Sequence, residues 1–287
     1  MTAKGLRLFP GCAADGAGAE YGRSTVAVLD ALGVAVRILA DWNCCGATGA
    51  RHEDPELAVR LSARNLALAA GDGCDLLVNC AACYNNLAWS RQYLAKHPQT
   101  WPAPPGAARP EAATVLHLLA VLTSEPMLER LATKIARPLA GMRLACYYGC
   151  LLVRPGGYTH VDDAENPRRM DDLLRLCGAD TVDWSFKTDC CGGSASMTDN
   201  PVAVELMARL FDSCLRQDVT ALVTACPLCH VNLDAWQEKV GALLGREVSL
   251  PVYYFTELVA LAMDLPGVDK WLSGHITDAR LTPRKCR

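Results

Sequence analysis

Four cysteines, Cys44, Cys45, Cys80 and Cys83, recur as Cys190, Cys191, Cys226 and Cys229, each 146 positions further on. A lone Cys-Cys pair or Cys-x-x-Cys says little. Two sets with identical internal spacing mark a duplicated unit, each copy holding a nest of thiolates. Thiolates gathered in this way bind a soft metal ion or an iron–sulfur cluster. The duplication divides the 287 residues into two units of ordinary domain size. Pro138–Gly141 is the expected boundary, giving a first cysteine-rich domain over 1–138 and a second over 139–287. Apolar residues make up 51% of the chain, so each unit can bury a core.

The formal net charge is −3 and the basic residues are scattered, which gives no electrostatic footprint for nucleic acid. No apolar run approaches the roughly 20 residues of a membrane span. The stretch Met1-Thr2-Ala3-Lys4-Gly5 leads straight into an apolar segment without a cleavage signal, so the expectation is a cytoplasmic protein. Fifteen cysteines in such a chain point to metal binding or catalysis rather than to a disulfide scaffold.

Strands and helices alternate. Leu6–Phe9 reads as a strand, Thr25–Leu32 as a helix closed by Gly33, and Val34–Leu39 as the next strand. A helix over Pro55–Ala70 precedes a buried strand, Asp75–Asn79, that ends on Cys80. After a Pro- and Ala-rich loop, Ala95–Pro110, helices are expected over Val115–Leu122 and Met127–Ala136. The second copy repeats the plan: strand Met142–Tyr148, helix Pro167–Leu176 capped by Gly178, strand Asp180–Trp184, helix Val202–Leu215, and strand Ala221–Thr224 before Cys226. The fold class is α/β: two pseudo-repeat Rossmann-like domains with parallel strands and crossover helices. The matched cysteines fall in loops at strand C-termini, the edge at which open α/β sheets place ligands.

Each copy has a candidate fifth thiolate. In the first it is Cys12, after Gly11. In the second, Cys150 follows Gly149 in the same way, whereas Cys146 lies inside the expected strand; the reading takes Cys150 and keeps Cys146 as its alternative. Two sulfurs of one Cys-x-x-Cys turn can reach a single metal centre. Adjacent cysteines diverge in extended backbone and grip different atoms of a larger object. Gly46 and Gly192 let the backbone pass close to that object. A single zinc needs only four tetrahedral donors, so five thiolates per nest fit a polynuclear cluster better, with a zinc module as the rival.

The sets Cys12…Cys44-Cys45-Gly46…Cys80-Ala81-Ala82-Cys83 and Cys150…Cys190-Cys191-Gly192…Cys226-Pro227-Leu228-Cys229 resemble the twin CCG motifs found in the B subunit of heterodisulfide reductase. Tyr148–Pro155, Asp163–Pro167 and Lys187–Gly192 agree as well, and the resemblance covers nearly the whole chain. It implies two non-cubane [4Fe–4S] clusters. Cys12, Cys44, Cys45, Cys80 and Cys83 would hold one, and Cys150, Cys190, Cys191, Cys226 and Cys229 the other. It implies a redox protein that exchanges electrons with a disulfide or sulfur-bearing thiol. It further implies partners: a flavin-containing protein of the A type and a ferredoxin-like protein of the C type. This chain has neither a Gly-x-Gly-x-x-Gly fingerprint nor a ferredoxin cysteine run, so electrons must be exchanged with such partners. Asp41–Thr48 is similar to bacterial sulfur-oxidising versions. A pure electron relay with a closed intercluster site is the second reading.

The remaining residues have simpler expectations. Cys74, Cys177 and Cys214 read as small buried apolar groups, and Cys286 as a free thiol in a basic tail. His230, beside Cys229, reads as a histidine packed near the ligands. His52, His97, His117, His160 and His275 show no partner pattern. Lys187 and Arg154 read equally as solvated cations or as charges facing the site, and Tyr147 and Tyr148 as packing groups. Asp162, Asp163, Asp171 and Asp172 flank an expected helix start, where negative charge is favourable.

Overall fold

The structure, a computed structural model, describes residues 4–13, 16, 18–102, 106–196, 198 and 200–280. In the first half the strands are β1 (Gly5–Phe9), β2 (Val36–Ile38), β3 (Cys74–Val78) and β4 (Val115–His117). The helices are α1 (Ala19–Ala31), α2 (Gly49–Glu53), α3 (Pro55–Gly71), α4 (Ala81–Lys96), α5 (Leu118–Leu122) and α6 (Glu125–Ala132). In the second half the strands are β5 (Arg143–Tyr147), β6 (Asp180–Thr181), β7 (Ala221–Thr224) and β8 (Val252–Tyr254). Its helices are α7 (Cys150–Val153), α8 (Arg169–Leu176), α9 (Asn200–Leu215), α10 (Pro227–Ala235), α11 (Gln237–Leu244), α12 (Phe255–Ala262) and α13 (Val268–Leu272).

Each half forms one four-stranded parallel sheet, ordered β2-β1-β3-β4 and β6-β5-β7-β8. The central strands are apolar because both faces are covered: every residue of β3 and β7 is buried, as a parallel sheet flanked by helices requires. The chain reverses after α1 and α8 at Gly33 and Gly178, both with positive φ, a conformation glycine adopts without steric cost. Helix α3 starts where Asp54 accepts the N–H groups of Glu56 and Leu57, both at 3.0 Å, with Pro55 in the first turn; this is an N-cap by a short acidic side chain.

The halves interlock. Helix α12 of the second half packs on α1 of the first, with Ser24 Oγ and Thr256 Oγ1 2.7 Å apart. The N–H groups of Ala136 and Arg137 both donate to the Ala262 carbonyl at 2.9 Å. Tyr21 of α1 reaches across to donate its hydroxyl to the Ala225 carbonyl at 3.3 Å.

Several elements differ from expectation. Val115–Leu122 is not one helix: Val115–His117 pairs with β3, and the helix starts only at Leu118. His117 makes that switch, its Nδ1 accepting the Leu119 N–H at 3.1 Å. Helix α1 begins at Ala19 rather than Thr25, and α6 ends at Ala132 rather than Ala136. Helices α4 and α10, which start immediately after Cys80 and Cys226, were not foreseen, nor was the terminal unit of β8, α12 and α13. Cys286 lies outside the described residues.

Candidate metal centre

Two turns build each nest. Gly11 and Gly149, both with φ of +68°, lead the chain out of β1 and β5. A Cβ at either would stand 3.4 Å from a sulfur, that of Cys83 or Cys229 respectively. The Cys-Cys turns are seated by Gly46 and Gly192, where a Cβ would meet backbone of the following helix, Ala58 Cα at 3.0 Å and Ala203 Cα at 2.8 Å. Glycine is needed at both on two counts, positive φ and lack of space. In each pair the first cysteine is exposed and the second buried, so adjacent side chains do diverge.

Seven of the ten thiols form a continuous run of hydrogen-bonding contacts, from Cys44 to Cys191, and Cys150 and Cys190 form a separate pair. Cys44 bonds Cys45; Cys45 and Cys83 sulfurs are 3.3 Å apart; Cys83 bonds Cys80. Cys80 meets Cys226 of the other half. Cys226 bonds Cys229, and Cys229 and Cys191 sulfurs are 3.4 Å apart. Cys150 sits beside Cys190, and Cys12 is exposed within the electrostatic reach of Cys44. All described cysteines are free thiols. Among the described residues no three Cys, His, Asp or Glu side chains close on one ion-sized position; the sulfurs are arranged as pairs.

Each contact lowers one thiol and raises its partner: the same bonds, with burial, push Cys44, Cys80, Cys83, Cys150 and Cys229 up. Hydrogen bonds from Cys44 and Cys83 hold Cys45 well below the usual thiol range, and Cys229 and Cys80 do the same for Cys226. The bond from Cys150 lowers Cys190 to about 6. Backbone amides add donors: Gly46 N–H to Cys44 Sγ at 3.4 Å, Ala47 N–H to Cys45 Sγ at 3.5 Å, and Gly192 N–H to Cys190 Sγ at 3.3 Å. Stabilised thiolates are the form that ligates soft metals.

Cys146, by contrast, is fully buried in β5, and burial pushes its thiol well up, with Asp171 adding to the effect. It faces away from the run, and Cys150 occupies the place beside Cys190. Cys74, Cys177 and Cys214 are buried; burial raises Cys177 to about 12 and also raises Cys214. Lys187 is not a solvated cation: it is 4% exposed, its ammonium 3.1 Å from Asp183. Its carbonyl accepts the N–H groups of Tyr148 and Gly149, tying the Cys190 loop to the turn before Cys150. Tyr148 is a packing group with a polar anchor, donating to Asp171 Oδ2 at 2.7 Å. Arg154 bridges Glu165 at 2.7 Å. Asp162 accepts the N–H groups of Arg168 and Arg169 at the start of α8.

Of the aromatic surroundings the sequence reading had His230, packed beside the ligands as expected, but not Tyr21, Tyr84 or Tyr254. Tyr84 and His230 follow Cys83 and Cys229 and correspond across the duplication. Tyr84 meets His117 edge to face at 5.4 Å, and His230 stacks on Tyr254 at 4.0 Å. Each half therefore has one Tyr–His pair with the identities exchanged. Burial lowers both histidines to about 3, so both are neutral. Tyr254 also stacks on Tyr21 at 4.3 Å, walling the seam. Two asparagines, Asn86 and Asn232, hold the carbonyls of Cys45 and Cys191; their regular 146-residue offset was the signal that could have exposed them.

The model of the CCG cysteine-rich domain matches this chain twice, over residues 6–88 and 144–234. The chain is 28% identical over 280 residues to the 8-methylmenaquinol:fumarate reductase membrane anchor subunit of Wolinella succinogenes, covering 96% of this chain and 98% of that one. It is 30% identical over 267 residues to the B subunit of the ferredoxin/F420H2-dependent CoB-CoM heterodisulfide reductase of Methanosarcina acetivorans, covering 90% and 89%. A solved structure of a hypothetical protein from Helicobacter pylori shares the fold, with a TM-score of 0.74 at 13% identity over 98% of this chain and 53% of that one. Among the described residues no helix is long and apolar enough to cross a membrane. Seven of the ten expected cysteines lie in the loops beyond strand ends, whereas Cys83, Cys150 and Cys229 fall in the first turns of α4, α7 and α10 rather than in loops. With both repeats matched, the chain belongs to the CCG cysteine-rich family and is a homologue of the B subunit of heterodisulfide reductase.

Proposed function

We propose that this chain is the iron–sulfur redox component of a heterodisulfide-reductase-like complex, holding two [4Fe–4S] clusters and exchanging electrons with a disulfide or sulfur-bearing thiol. Cys12, Cys44, Cys45, Cys80 and Cys83 would hold one cluster, and Cys150, Cys190, Cys191, Cys226 and Cys229 the other. The donor set fits such a group: ten thiols, three of them shifted toward the thiolate by hydrogen bonds from their neighbours, over glycine turns with no Cβ to obstruct the sulfurs. When bound, the clusters would supply one-electron steps. The observation that carries the reading is the meeting of Cys80 and Cys226, which brings the two sites together at one seam. Reducing a disulfide consumes two electrons and two protons and releases two thiols, and two adjoining one-electron sites match that count. The chain's own residues position the exchange: the buried Tyr21, Tyr254 and His230 wall the seam, and exposed Cys44 and Cys190 mark the open side. Electrons pass to or from a flavin-containing partner of the A type through a ferredoxin-like one of the C type, in the cytoplasm.

The test is anaerobic purification with iron, sulfide and zinc analysis, followed by paramagnetic resonance with and without added thiols and disulfides. The expected result is iron and sulfide in equal amounts and a spectrum that thiols perturb. Zinc in place of iron would overturn the reading. A spectrum indifferent to thiols would favour the relay instead.

A further inference from the structure

The duplication makes every feature of one half comparable with its counterpart, and one pair of counterparts is unlike. In the second half, the groove between α10 and β8 is filled by the chain itself. His275 Nε2 lies 3.0 Å from Glu257 Oε1, and Asp234 accepts the N–H groups of Ile276 and Thr277 at 2.7 and 2.9 Å. The Tyr253 hydroxyl donates to the Ala279 carbonyl.

In the first half the matching groove is open. Sheet register aligns β4 with β8, so that Leu116, His117 and Ala120 stand where Tyr253, Tyr254 and Glu257 stand. The cysteine offset aligns α4 with α10, so that Tyr84, Ala88 and Arg91 stand where His230, Asp234 and Gln237 stand. All six first-half residues line one cavity of about 570 Å³, closed on its far side by Tyr158 and His160 from the second half. Both carboxylates that hold the 275–279 segment are thus alanine here.

What replaces them is positive. Gln237 spends its whole amide on Leu250, donating to its carbonyl and accepting its N–H, both at 2.7 Å. Arg91 reproduces the structural half of this, its Nε donating to the Ala113 carbonyl at 2.7 Å. Its two terminal nitrogens make no other hydrogen bond among the described residues, Arg91 lines the cavity, and among the described residues it has no salt bridge. One carboxylate, Glu111, also lines the cavity, but it is already paired with Arg109. The Tyr84 hydroxyl accepts the His160 N–H at 3.3 Å and keeps its own proton to donate. A guanidinium fork with a phenol beside an apolar floor of Ala88, Leu116 and Ala120 suits a planar anion on an apolar body. It does not suit a peptide main chain, whose N–H groups need the lost acceptors.

We propose that this cavity is a binding site for a small organic carboxylate, with Arg91 pairing the carboxylate and the alanine-lined floor taking the apolar part. The site is independent of the cluster reading. It is tested on the full chain, purified anaerobically, by calorimetric titration with 4-phenylbutyrate, with iron measured on the same samples. Binding of one molecule per chain is expected, with none for the neutral 4-phenylbutyramide. Arg91→Gln, which keeps a donor for the Ala113 carbonyl, should weaken binding at least about tenfold. Ala88→Asp, which adds the acceptor that the second half has, should weaken it similarly, so the proposal stays testable if one variant folds poorly. No heat with the wild-type chain, equal binding of the amide, or unchanged affinity in both variants would overturn it. So would tight binding of a capped peptide of residues 275–280 with none of the carboxylate.

Discussion

Asn86 and Asn232 donate their side-chain amides to the carbonyls of Cys45 and Cys191, at 2.6 and 2.5 Å. The two bonds are duplicates, but their support is not. Ser62 also donates to the Cys45 carbonyl, at 2.9 Å, and the second half has Met207 in its place, as the matching contacts of Ala58 and Ala203 with the Cys-Cys turns show. Asn232→Ala therefore removes the side-chain donor to a buried turn, at about 1–3 kcal/mol, whereas Asn86→Ala leaves Ser62 in place and costs less. Urea titration of both variants checks this; equal losses would contradict the asymmetry.

The cysteine assignments divide cleanly by variant. Cys44→Ser and Cys190→Ser should each lower bound iron from about eight to about four per chain. Cys150→Ser should behave like Cys190→Ser. Cys74→Ser and Cys146→Ser should leave the full amount, because Cys74 is a strand residue and Cys146 faces away from the thiol run. Iron analysis after anaerobic purification decides, and loss of iron on Cys146→Ser would reassign the fifth ligand.

Gly192→Ala and Gly46→Ala test the seating of the Cys-Cys turns. Both positions have positive φ, +75° and +81°, and the added methyl meets helix backbone at 2.8 and 3.0 Å. Backbone cannot yield as a flexible side chain does, so each should cost about 1–3 kcal/mol. The closer contact makes Gly192→Ala the more damaging. Thermal unfolding midpoints give the order.

The contribution of the buried pair Glu257 and His275 to stability should decline as pH rises through neutrality, against the opposite trend set by the buried, neutral His117 and His230. Burial pushes the Glu257 carboxyl above its ordinary 4.5. For His275, burial acts to lower the value, but the hydrogen bond to Glu257 and the charges of Glu257, Asp234 and Glu20 outweigh it and raise the imidazole above 6.5. Both folded groups thus keep protons that the unfolded chain releases. Their contribution is full below the unfolded values and is lost as pH climbs through the folded ones. The urea-midpoint difference between the wild type and Glu257→Gln, in which His117 and His230 cancel, should shrink from about pH 6 to about pH 8. A difference that stays constant or grows over this range would contradict the assignment.

The duplication, the parallel sheets and the strand-end position of the Cys-Cys turns, Cys80 and Cys226 were legible because cysteine spacing and apolar runs are local records of structure; that Cys83 and Cys229 lie in helices was not. The Val115–Leu122 run was misread because a three-residue strand passes into a helix with no glycine or proline between them, and apolar periodicity cannot separate the two. Helices α4 and α10 were missed because their first turns are buried all round, which removes the amphipathic stripe that marks a surface helix. Asn86, Ser62 and His117 carry no motif. Their roles arise only when the fold brings them to a cysteine carbonyl or a strand end.

Because Tyr21 reaches into the opposite half and α12 lies against α1, neither repeat can close its own surface alone. The two segments depend on each other to cover these faces. A gene divided at residue 138 should yield fragments that fold only when produced together.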